Sequence, residues 1–201
     1  MTVALWLLAA YVLGATPTAY LAGRLARGID LRQHGSRNLG ATNVYRVLGW
    51  AWAIPVALID IAKGAIPVAL FAHWAGGDPW LAVAVGIAAV LGHVFSPYVG
   101  FKGGKGVATA AGIFIALAPL AVAIALPVWG LCLWLTGYVS LSSILAATTF
   151  PLLVRLTRPD AVATLWASVA LAALIVVSHR ANIRRLLAGT ENRFRTRKEL
   201  T

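Results

Sequence analysis

The chain has 201 residues, of which 60% are hydrophobic and 11% are charged, and its mean hydropathy is +0.82. This composition leaves too little polar surface to cover a water-soluble globule, so it excludes a soluble protein and indicates an integral membrane protein. The net charge of +11 would suggest nucleic acid as the partner of a soluble protein, but here the basic residues flank apolar runs and we expect no nucleic-acid partner. A single cysteine, Cys132, offers no Cys-rich metal framework, and we expect neither a metal nor a cofactor.

Apolar runs predict the membrane spans in chain order. The first, Val3 to Gly23, is roughly 20 residues long without a basic stretch ahead of it, which favours a retained helix over a signal peptide. Runs from about Gly49 to Ala75 and from Trp80 to Phe95 predict the next two spans. Four shorter runs follow between Val107 and Ser178. The first of these, 107–118, has about 12 residues, a length more typical of a re-entrant or buried helix.

The positions of the basic residues predict the orientation of the chain. Fourteen of the 17 Lys and Arg residues lie in three segments: the gap after the first run, the glycine-rich segment before Val107, and the tail, which contains Arg193, Arg195, Arg197 and Lys198. The positive-inside rule places all three in the cytoplasm. We therefore expect about seven transmembrane helices with the N-terminus outside and the C-terminus cytoplasmic, and five spans plus a re-entrant pair as the alternative. Because no repeat or linker divides it, we expect 1–201 to form a single all-α domain.

The first polar segment reads HGSRNLGATNVYR, from His34 to Arg46. Its glycines let the backbone approach a ligand closely, and its short polar side chains donate hydrogen bonds without bulk. The planar guanidinium of Arg46 suits phosphate oxygens. An ordinary polar loop that caps a helix explains the segment about equally well. The candidate ligands are Ser36, Asn38, Thr42, Asn43 and Arg46.

The second segment reads GHVFSPYVGFKGGKG, from Gly92 to Gly106, and leads directly into the run at Val107. A glycine-rich turn that enters a helix presents backbone N–H groups and the positive end of the helix dipole to an anion. A Walker A loop is excluded, because Val99 replaces its first glycine and no Ser or Thr follows Lys105. The structural alternative is a flexible turn with snorkelling lysines. The candidate ligands are His93, Lys102, Gly103, Gly104 and Lys105.

The third segment reads HRANIRRLLAGTE, from His179 to Glu191, and follows the last apolar run. On a helix, His179 and Asn182 lie three residues apart on one face, with Arg185 nearby. Taken alone, the segment is better explained as a basic helix that anchors the chain to lipid phosphates. Ser140, Ser142 and Ser143, at the start of a later run, are weaker candidates.

Together the three segments resemble the signature segments of the bacterial acyl phosphate:glycerol-3-phosphate acyltransferases, in the same order and on the same expected side of the membrane. Two positions depart from the family pattern. Arg37 stands where glycine is common, and in Ser96-Pro97 the proline comes one place later than usual.

The resemblance implies transfer of a fatty acyl group from acyl phosphate to the 1-hydroxyl of sn-glycerol 3-phosphate. The products are 1-acyl-sn-glycerol 3-phosphate (lysophosphatidate) and phosphate, in the first step of bacterial phospholipid synthesis. It also implies a location in the inner membrane, an active site on the cytoplasmic face, and a functional link to a soluble enzyme that makes acyl phosphate.

The same resemblance assigns roles to residues. We expect Ser36, Arg46 and Lys105 to contact phosphate, and His179 and Asn182 to complete the glycerol phosphate pocket. Lys105, Arg46 and His179 are the candidate catalytic residues. The proton acceptor is left open between His93, His179 and a phosphate oxygen of the donor.

Three other interpretations are weighed against this one. A membrane anion or organophosphate transporter would also use glycines and cations within a helical bundle, but its basic residues should line a path across the membrane. His73 and Asp78 fit a His-x4-Asp acyltransferase pattern, yet they fall in an expected outer loop, and we expect no catalytic role. Asp60 and Lys63 are interpreted as a neutralised pair that fixes helix packing near the site, with a functional role as the alternative.

Overall fold

The computed structural model describes residues 2–74 and 76–194, and these ranges are helical without any β-strand. The all-α prediction is confirmed. A π-helical stretch, Pro67–Phe71, joins the fourth and fifth helices. The helices are α1 (Val3–Ala15), α2 (Thr18–Arg27), α3 (Ala41–Leu48), α4 (Trp50–Ile66), α5 (Ala72–Trp74), α6 (Pro79–Val94), α7 (Val107–Leu117), α8 (Pro119–Thr136), α9 (Val139–Thr157), α10 (Val162–Ser178) and α11 (Arg180–Leu187).

Within the described ranges, five stretches are long and apolar enough to cross a membrane: Val3–Arg27, Trp50–Trp74, Pro79–Val99, Pro119–Thr136 and Val139–Thr157. Helices α10 and α11, bent by 58°, make a sixth if they are counted as one span. Helix α7 has 11 residues, and at 1.5 Å per residue it rises only about 16 Å, roughly half the hydrocarbon thickness. The protein is thus a multi-pass helical membrane protein.

Seven crossings, an outside N-terminus and a cytoplasmic C-terminus stay predictions. The tail cations Arg195, Arg197 and Lys198, which contributed to the predicted orientation, lie outside the described residues. The chain divides into two compact units, residues 1–117 and 118–201, which we describe separately. The prediction of a single domain is therefore not tested.

Small residues allow the helices of unit 1 to pack backbone against backbone. A Cβ on Gly14 of α1 would overlap the carbonyl of Ala89 in α6, and one on Gly92 of α6 would overlap the carbonyl of Tyr11 in α1. Helices α4 and α7 use the same device at Gly64 and Gly112. Lipid is as apolar as the helix surfaces, so this close contact takes the place of the hydrophobic effect in holding the helices together.

A break between α1 and α2 interrupts the first predicted run. Pro17 has no N–H to continue the helical ladder, and because α1 ends at Ala15 its last carbonyls have no partner within the helix. Ser96 donates to the carbonyl of Ala15 over 2.6 Å, and Lys63 donates to the carbonyl of Thr16 over 2.7 Å. Ser96 thus satisfies a carbonyl at the end of α1, and Lys63 is a second donor to a carbonyl that also accepts from the N–H of Thr18.

Unit 2 is built on α8, α9 and α10, with α9 packed against both of the others. Gly137, at φ +74°, ends α8 in the left-handed conformation. Beyond α11 the chain returns to this turn, because the N–H of Phe194 donates to the carbonyl of Gly137 over 2.7 Å. The guanidinium of Arg193 lies over the ring of Tyr138, 5.3 Å from its centroid.

Candidate active site

The first polar segment is organised around the side chain of Asn43, which is only 1% exposed. Its Oδ1 accepts from the N–H of Ser36 over 2.7 Å, and its Nδ2 donates to the carbonyls of Leu31 and His34 over 3.1 Å each. The amide therefore holds the loop onto the start of α3. These three hydrogen bonds of the Asn43 side chain all go to the backbone of residues before α3. Contact between Asn43 and a substrate stays a prediction.

The backbone conformation at Arg37 is one that favours glycine. Its φ is +58°, one of two such values among non-glycine residues in the described ranges. A side chain in this left-handed region costs about 1–2 kcal/mol, a cost that glycine does not have. Arg37 is exposed, so its side chain reaches solvent and the backbone carries the strain.

The second polar segment folds back on the end of α6 before it enters α7. The N–H of Gly103 donates to the carbonyl of Val94 over 3.0 Å, and that of Gly104 to the carbonyl of His93 over 3.2 Å. A Cβ on Gly103 would overlap the carbonyl of His93, and one on Gly104 would overlap its imidazole. Only glycine fits at these two positions, and their small size brings the start of α7 close to the end of α6. We call residues Gly103 to Gly106 the glycine loop.

Unit 1 brings the first two polar segments into contact. A Cβ on Gly104 would lie 2.9 Å from the carbonyl oxygen of Leu39, so the backbone of the glycine loop approaches that of the first segment. Arg32 Nη1 donates to the carbonyl of Val99 over 2.9 Å. The side-chain hydrogen bond from Arg32 also holds the pKa of the Asp30 carboxyl below its ordinary value. The loops that enter α3 and α7 are thus side by side, as the sequence predicts for a shared anion site.

A buried ion pair lies behind these loops. Lys63 Nζ is 2.7 Å from Asp60 Oδ1, and both side chains are at most 3% exposed. The hydroxyl of Thr18 donates to the same Asp60 oxygen over 2.5 Å. The Nδ1 atom of His93, itself buried, is 3.7 Å from that oxygen. The predicted pairing of Asp60 and Lys63 is confirmed, and the structure adds Thr18 and His93 to it.

A small polar pocket and a large apolar groove adjoin in unit 1. The pocket is a crevice of about 10 Å³, and its lining includes Thr18, Lys63, His93, Ser96, Gly103 and Gly104 together with the apolar side chains of Leu39 and Val99. The groove has a volume of about 690 Å³ and an apolar lining that includes Val12, Leu13, Leu21, Phe71 and Tyr98. Thr16 and Pro17, at the break between α1 and α2, line both. This arrangement suits a ligand with a polar head and an apolar chain.

In unit 2, the third polar segment converges on a carboxylate that the sequence-based site lacks. Glu191 Oε1 accepts from Ser140 Oγ over 2.9 Å and from Asn182 Nδ2 over 2.6 Å, and its Oε2 accepts from Arg185 Nε over 2.6 Å. Burial alone would raise the pKa of Glu191, but these hydrogen bonds outweigh it and bring the pKa below its ordinary value. The signal available in the sequence was that Glu191 is the one acid of this segment.

His179 lies at the bend between α10 and α11, and its side chain is buried. Its Nδ1 is 2.8 Å from the carbonyl oxygen of Ile175. Because a carbonyl only accepts, Nδ1 is the donor in this contact and carries a proton.

Comparison with known proteins decides the family. The model of the glycerol-3-phosphate acyltransferase family matches residues 4–189. A glycerol-3-phosphate acyltransferase of Trichlorobacter lovleyi is 48% identical over 190 residues, covering 94% of this chain and 96% of that protein. This chain belongs to the glycerol-3-phosphate acyltransferase family.

Solved structures agree with that assignment. The chain is similar to PlsY (YgiH), an integral membrane glycerol 3-phosphate acyltransferase, in its glycerol 3-phosphate form, with a TM-score of 0.88, 40% identity and coverage of 98% of both chains. The form of the same enzyme described as its lysphosphatidic acid form gives a TM-score of 0.86 and 39% identity, with 95% and 94% coverage. The predicted family and acyltransferase activity are confirmed, and a transporter is no longer favoured.

The remaining site predictions for this acyltransferase are placed as follows. Ser36, Asn38, Thr42 and Arg46 are half-buried in or beside α3; Lys105 is half-buried at the end of the glycine loop, and Lys102 is exposed. Ser142 donates to the carbonyl of Tyr138 over 3.0 Å, and Ser143 accepts from the indole N–H of Trp129 over 3.2 Å. Substrate contacts at all of these positions stay predictions.

The His-x4-Asp pair has a structural explanation. Asp78 is the N-cap of α6, because its Oδ2 accepts from the N–H of Leu81 over 2.9 Å, and Pro79 occupies the first helical position. His73 is exposed in the short helix α5. The pattern therefore reflects a helix start.

Proposed function

We propose that this acyltransferase moves a fatty acyl group from acyl phosphate to the 1-hydroxyl of sn-glycerol 3-phosphate at the cytoplasmic face of the bacterial inner membrane. The products are 1-acyl-sn-glycerol 3-phosphate and inorganic phosphate. A soluble enzyme that makes acyl phosphate would supply the donor. The observation that carries the proposal is the contact between the loops that enter α3 and α7, next to a polar pocket that adjoins an apolar groove.

Two features of unit 1 support phosphate binding at these loops. Helices α3 and α7 both begin where the loops meet, and each helix start presents backbone N–H groups and a partial positive charge. Lys105 adds a formal charge in the glycine loop before α7, and Arg46 adds one in the last turn of α3. We assign the phosphate contacts to Ser36, Arg46 and Lys105, with the backbone of Gly103 and Gly104 giving the ligand room.

The reaction itself needs no side-chain nucleophile, because phosphate is already a good leaving group. The oxygen of the 1-hydroxyl attacks the acyl carbonyl carbon, and the bond from that carbon to the phosphate oxygen breaks. Phosphate leaves with the bonding electrons, and the hydroxyl proton passes to a base. The protein contributes by holding the two reactants together and by neutralising their phosphates in a partly dehydrated site.

The apolar groove supports a long-chain donor. Its lining is almost entirely apolar, and Thr16 and Pro17, at the break between α1 and α2, line both the groove and the polar pocket. An acyl chain in the groove would therefore place its polar head group towards His93 and the glycine loop.

The test is incorporation of radiolabelled glycerol 3-phosphate by the purified protein, offered palmitoyl phosphate, palmitoyl-CoA and palmitoyl-acyl carrier protein in parallel. We expect product with palmitoyl phosphate alone. Product with a thioester alone would contradict the proposed donor. Absence of product with all three donors would contradict the proposed reaction.

Paired variants test the assigned contacts. Lys105→Ala and Arg46→Ala should each raise the KM for glycerol 3-phosphate at least about tenfold, because each removes a charge-assisted contact. Arg27→Ala is the matched control, since Arg27 is an exposed cation at the end of α2. Equal effects of all three substitutions would indicate a general loss of positive charge and would refute the assignment.

A further inference from the structure

The buried cluster behind the glycine loop has a use beyond neutralising its own charges. Asp60 and Lys63 are both on α4, three residues apart, so their ion pair by itself joins no two helices. A buried ion pair is also an inefficient source of stability, because the cost of removing two charges from water offsets most of the attraction. The arrangement of the groups around the pair is therefore the feature to explain.

The carboxylate of Asp60 is held in place from several elements. Lys63 and Thr18 both donate to its Oδ1 atom, over 2.7 and 2.5 Å. Lys63 is fixed in turn by its hydrogen bond to the carbonyl of Thr16, at the break between α1 and α2. Asp60 consequently presents a negative charge at one defined point, within a region that excludes water.

The imidazole of His93 lies between this charge and the glycine loop. Its Nδ1 is 3.7 Å from Asp60 Oδ1. At the opposite end of the ring, Nε2 faces Gly104 so closely that a Cβ there would overlap it. The carbonyl of His93 also accepts from the N–H of Gly104 over 3.2 Å. One residue thus supports the loop through both its backbone and its ring.

We propose that Asp60 and His93 are positioning residues for the glycine loop. Asp60, held by Lys63 and Thr18, orients the imidazole so that Nδ1–H faces the carboxylate, and the ring sets the position of Gly104. His93 then acts through the loop and need not touch substrate. The proposal rests on the proposed function only in assigning substrate phosphate to this loop; the dependence of the loop on Asp60 is a property of the fold.

Hydrogen exchange measured on the intact protein in detergent tests that dependence without any assay of activity. The variant Asp60→Asn/Lys63→Met replaces the ion pair by neutral groups of similar size, which is often neutral for stability. We expect its melting temperature to stay near that of the wild type, while exchange across residues 101–106 becomes about tenfold faster, since a lost constraint of 1.4 kcal/mol corresponds to that factor.

Two further variants keep this measurement decisive. Ser168→Ala is the control, because it removes a buried hydroxyl that is bonded within its own helix, and it should leave exchange in the loop unchanged. Thr18→Val removes one hydrogen bond to Asp60 with little change of shape, and should accelerate loop exchange to a smaller extent. It answers the question even where the double variant does not fold. The proposal would be overturned if residues 101–106 exchanged at the wild-type rate both in Thr18→Val and in any double variant that folds.

Kinetics then test whether Asp60 acts through His93. We expect Asp60→Asn/Lys63→Met and His93→Gln each to raise the KM for glycerol 3-phosphate by about tenfold, with a smaller change in kcat. The triple variant should be no worse than His93→Gln, because residues that act in series do not add. Additive losses would contradict the link between Asp60 and His93. If the wild type does not use acyl phosphate, the proposed donor is wrong. Hydrogen exchange still tests whether Asp60 and His93 position the loop, because it does not depend on activity.

Discussion

Removing the carboxylate of Glu191 should loosen the end of unit 2. In Glu191→Ala, Ser140 and Asn182, both buried, each lose an acceptor, at about 1–3 kcal/mol per buried donor. Arg185 has a side chain that is 37% exposed, so water replaces part of its ion pair and we add no more than about 1 kcal/mol for it. The expected loss is about 2–7 kcal/mol.

The assay is thermal unfolding of the purified protein in detergent across a range of pH. At about 2–4 °C per kcal/mol for a chain of this length, Glu191→Ala should melt about 4–28 °C below the wild type near neutral pH. Glu191→Gln keeps one acceptor oxygen and should lose roughly half as much. Asp160→Asn is the matched control, because Asp160 is an exposed acid in the same unit.

The pH dependence follows from the lowered pKa of Glu191. A carboxyl whose pKa is lower in the folded protein contributes its full stability above the ordinary value of 4.5 and loses it as the pH falls through the folded value. The difference between the wild type and Glu191→Gln should therefore be largest near neutral pH and shrink as the pH falls below 4.5. A Glu191→Ala variant that melts like Asp160→Asn, or a difference that grows as the pH falls, would refute this reasoning.

Three further substitutions separate packing, backbone and capping effects. Gly64→Ala should lower stability by about 1–3 kcal/mol, because the new Cβ overlaps the carbonyl of Thr109. Gly130→Ala is the control, because its Cβ enters open space. Equal melting temperatures of the two variants would contradict the close packing of α4 and α7. Arg37→Gly should raise the melting temperature slightly, by relieving about 1 kcal/mol of left-handed strain, and a lower melting temperature would argue against strain at this position. Asp78→Ala should lower the free energy of unfolding by about 1 kcal/mol, because it removes an N-cap, and should leave the turnover per folded molecule unchanged. A loss of turnover with folding preserved would show that Asp78 does more than cap α6.

The positions of the apolar helices could be predicted from the sequence because hydropathy is a local property. The predicted run from Trp80 to Phe95 corresponds to α6, and the short run 107–118 corresponds to α7. Glycine density and cations likewise identified the two loops that unit 1 brings together. These features depend on composition within a few neighbouring residues, and no folding of the chain is needed to recognise them.

The three signature segments were equally readable in the order of residues along the chain. They predicted the family, which the match over residues 4–189 confirms. The Asp60 and Lys63 pair could also be anticipated, because residues three apart on a helix face each other and an unpaired charge within a span is costly.

Contacts between distant parts of the chain were decided only by the tertiary structure. Thr18 bonds to Asp60 across 42 positions, Ser96 to the carbonyl of Ala15 across 81, and Ser140 to Glu191 across 51. Nothing in the local pattern specifies such partners, because each depends on which helices pack together and at what depth. Local patterns along the chain were thus enough to predict the membrane class, the apolar helices, the family and the candidate ligands. How His93 supports the glycine loop and how Glu191 gathers the third segment became visible only in the folded protein, because both depend on side chains that meet across elements distant in the chain.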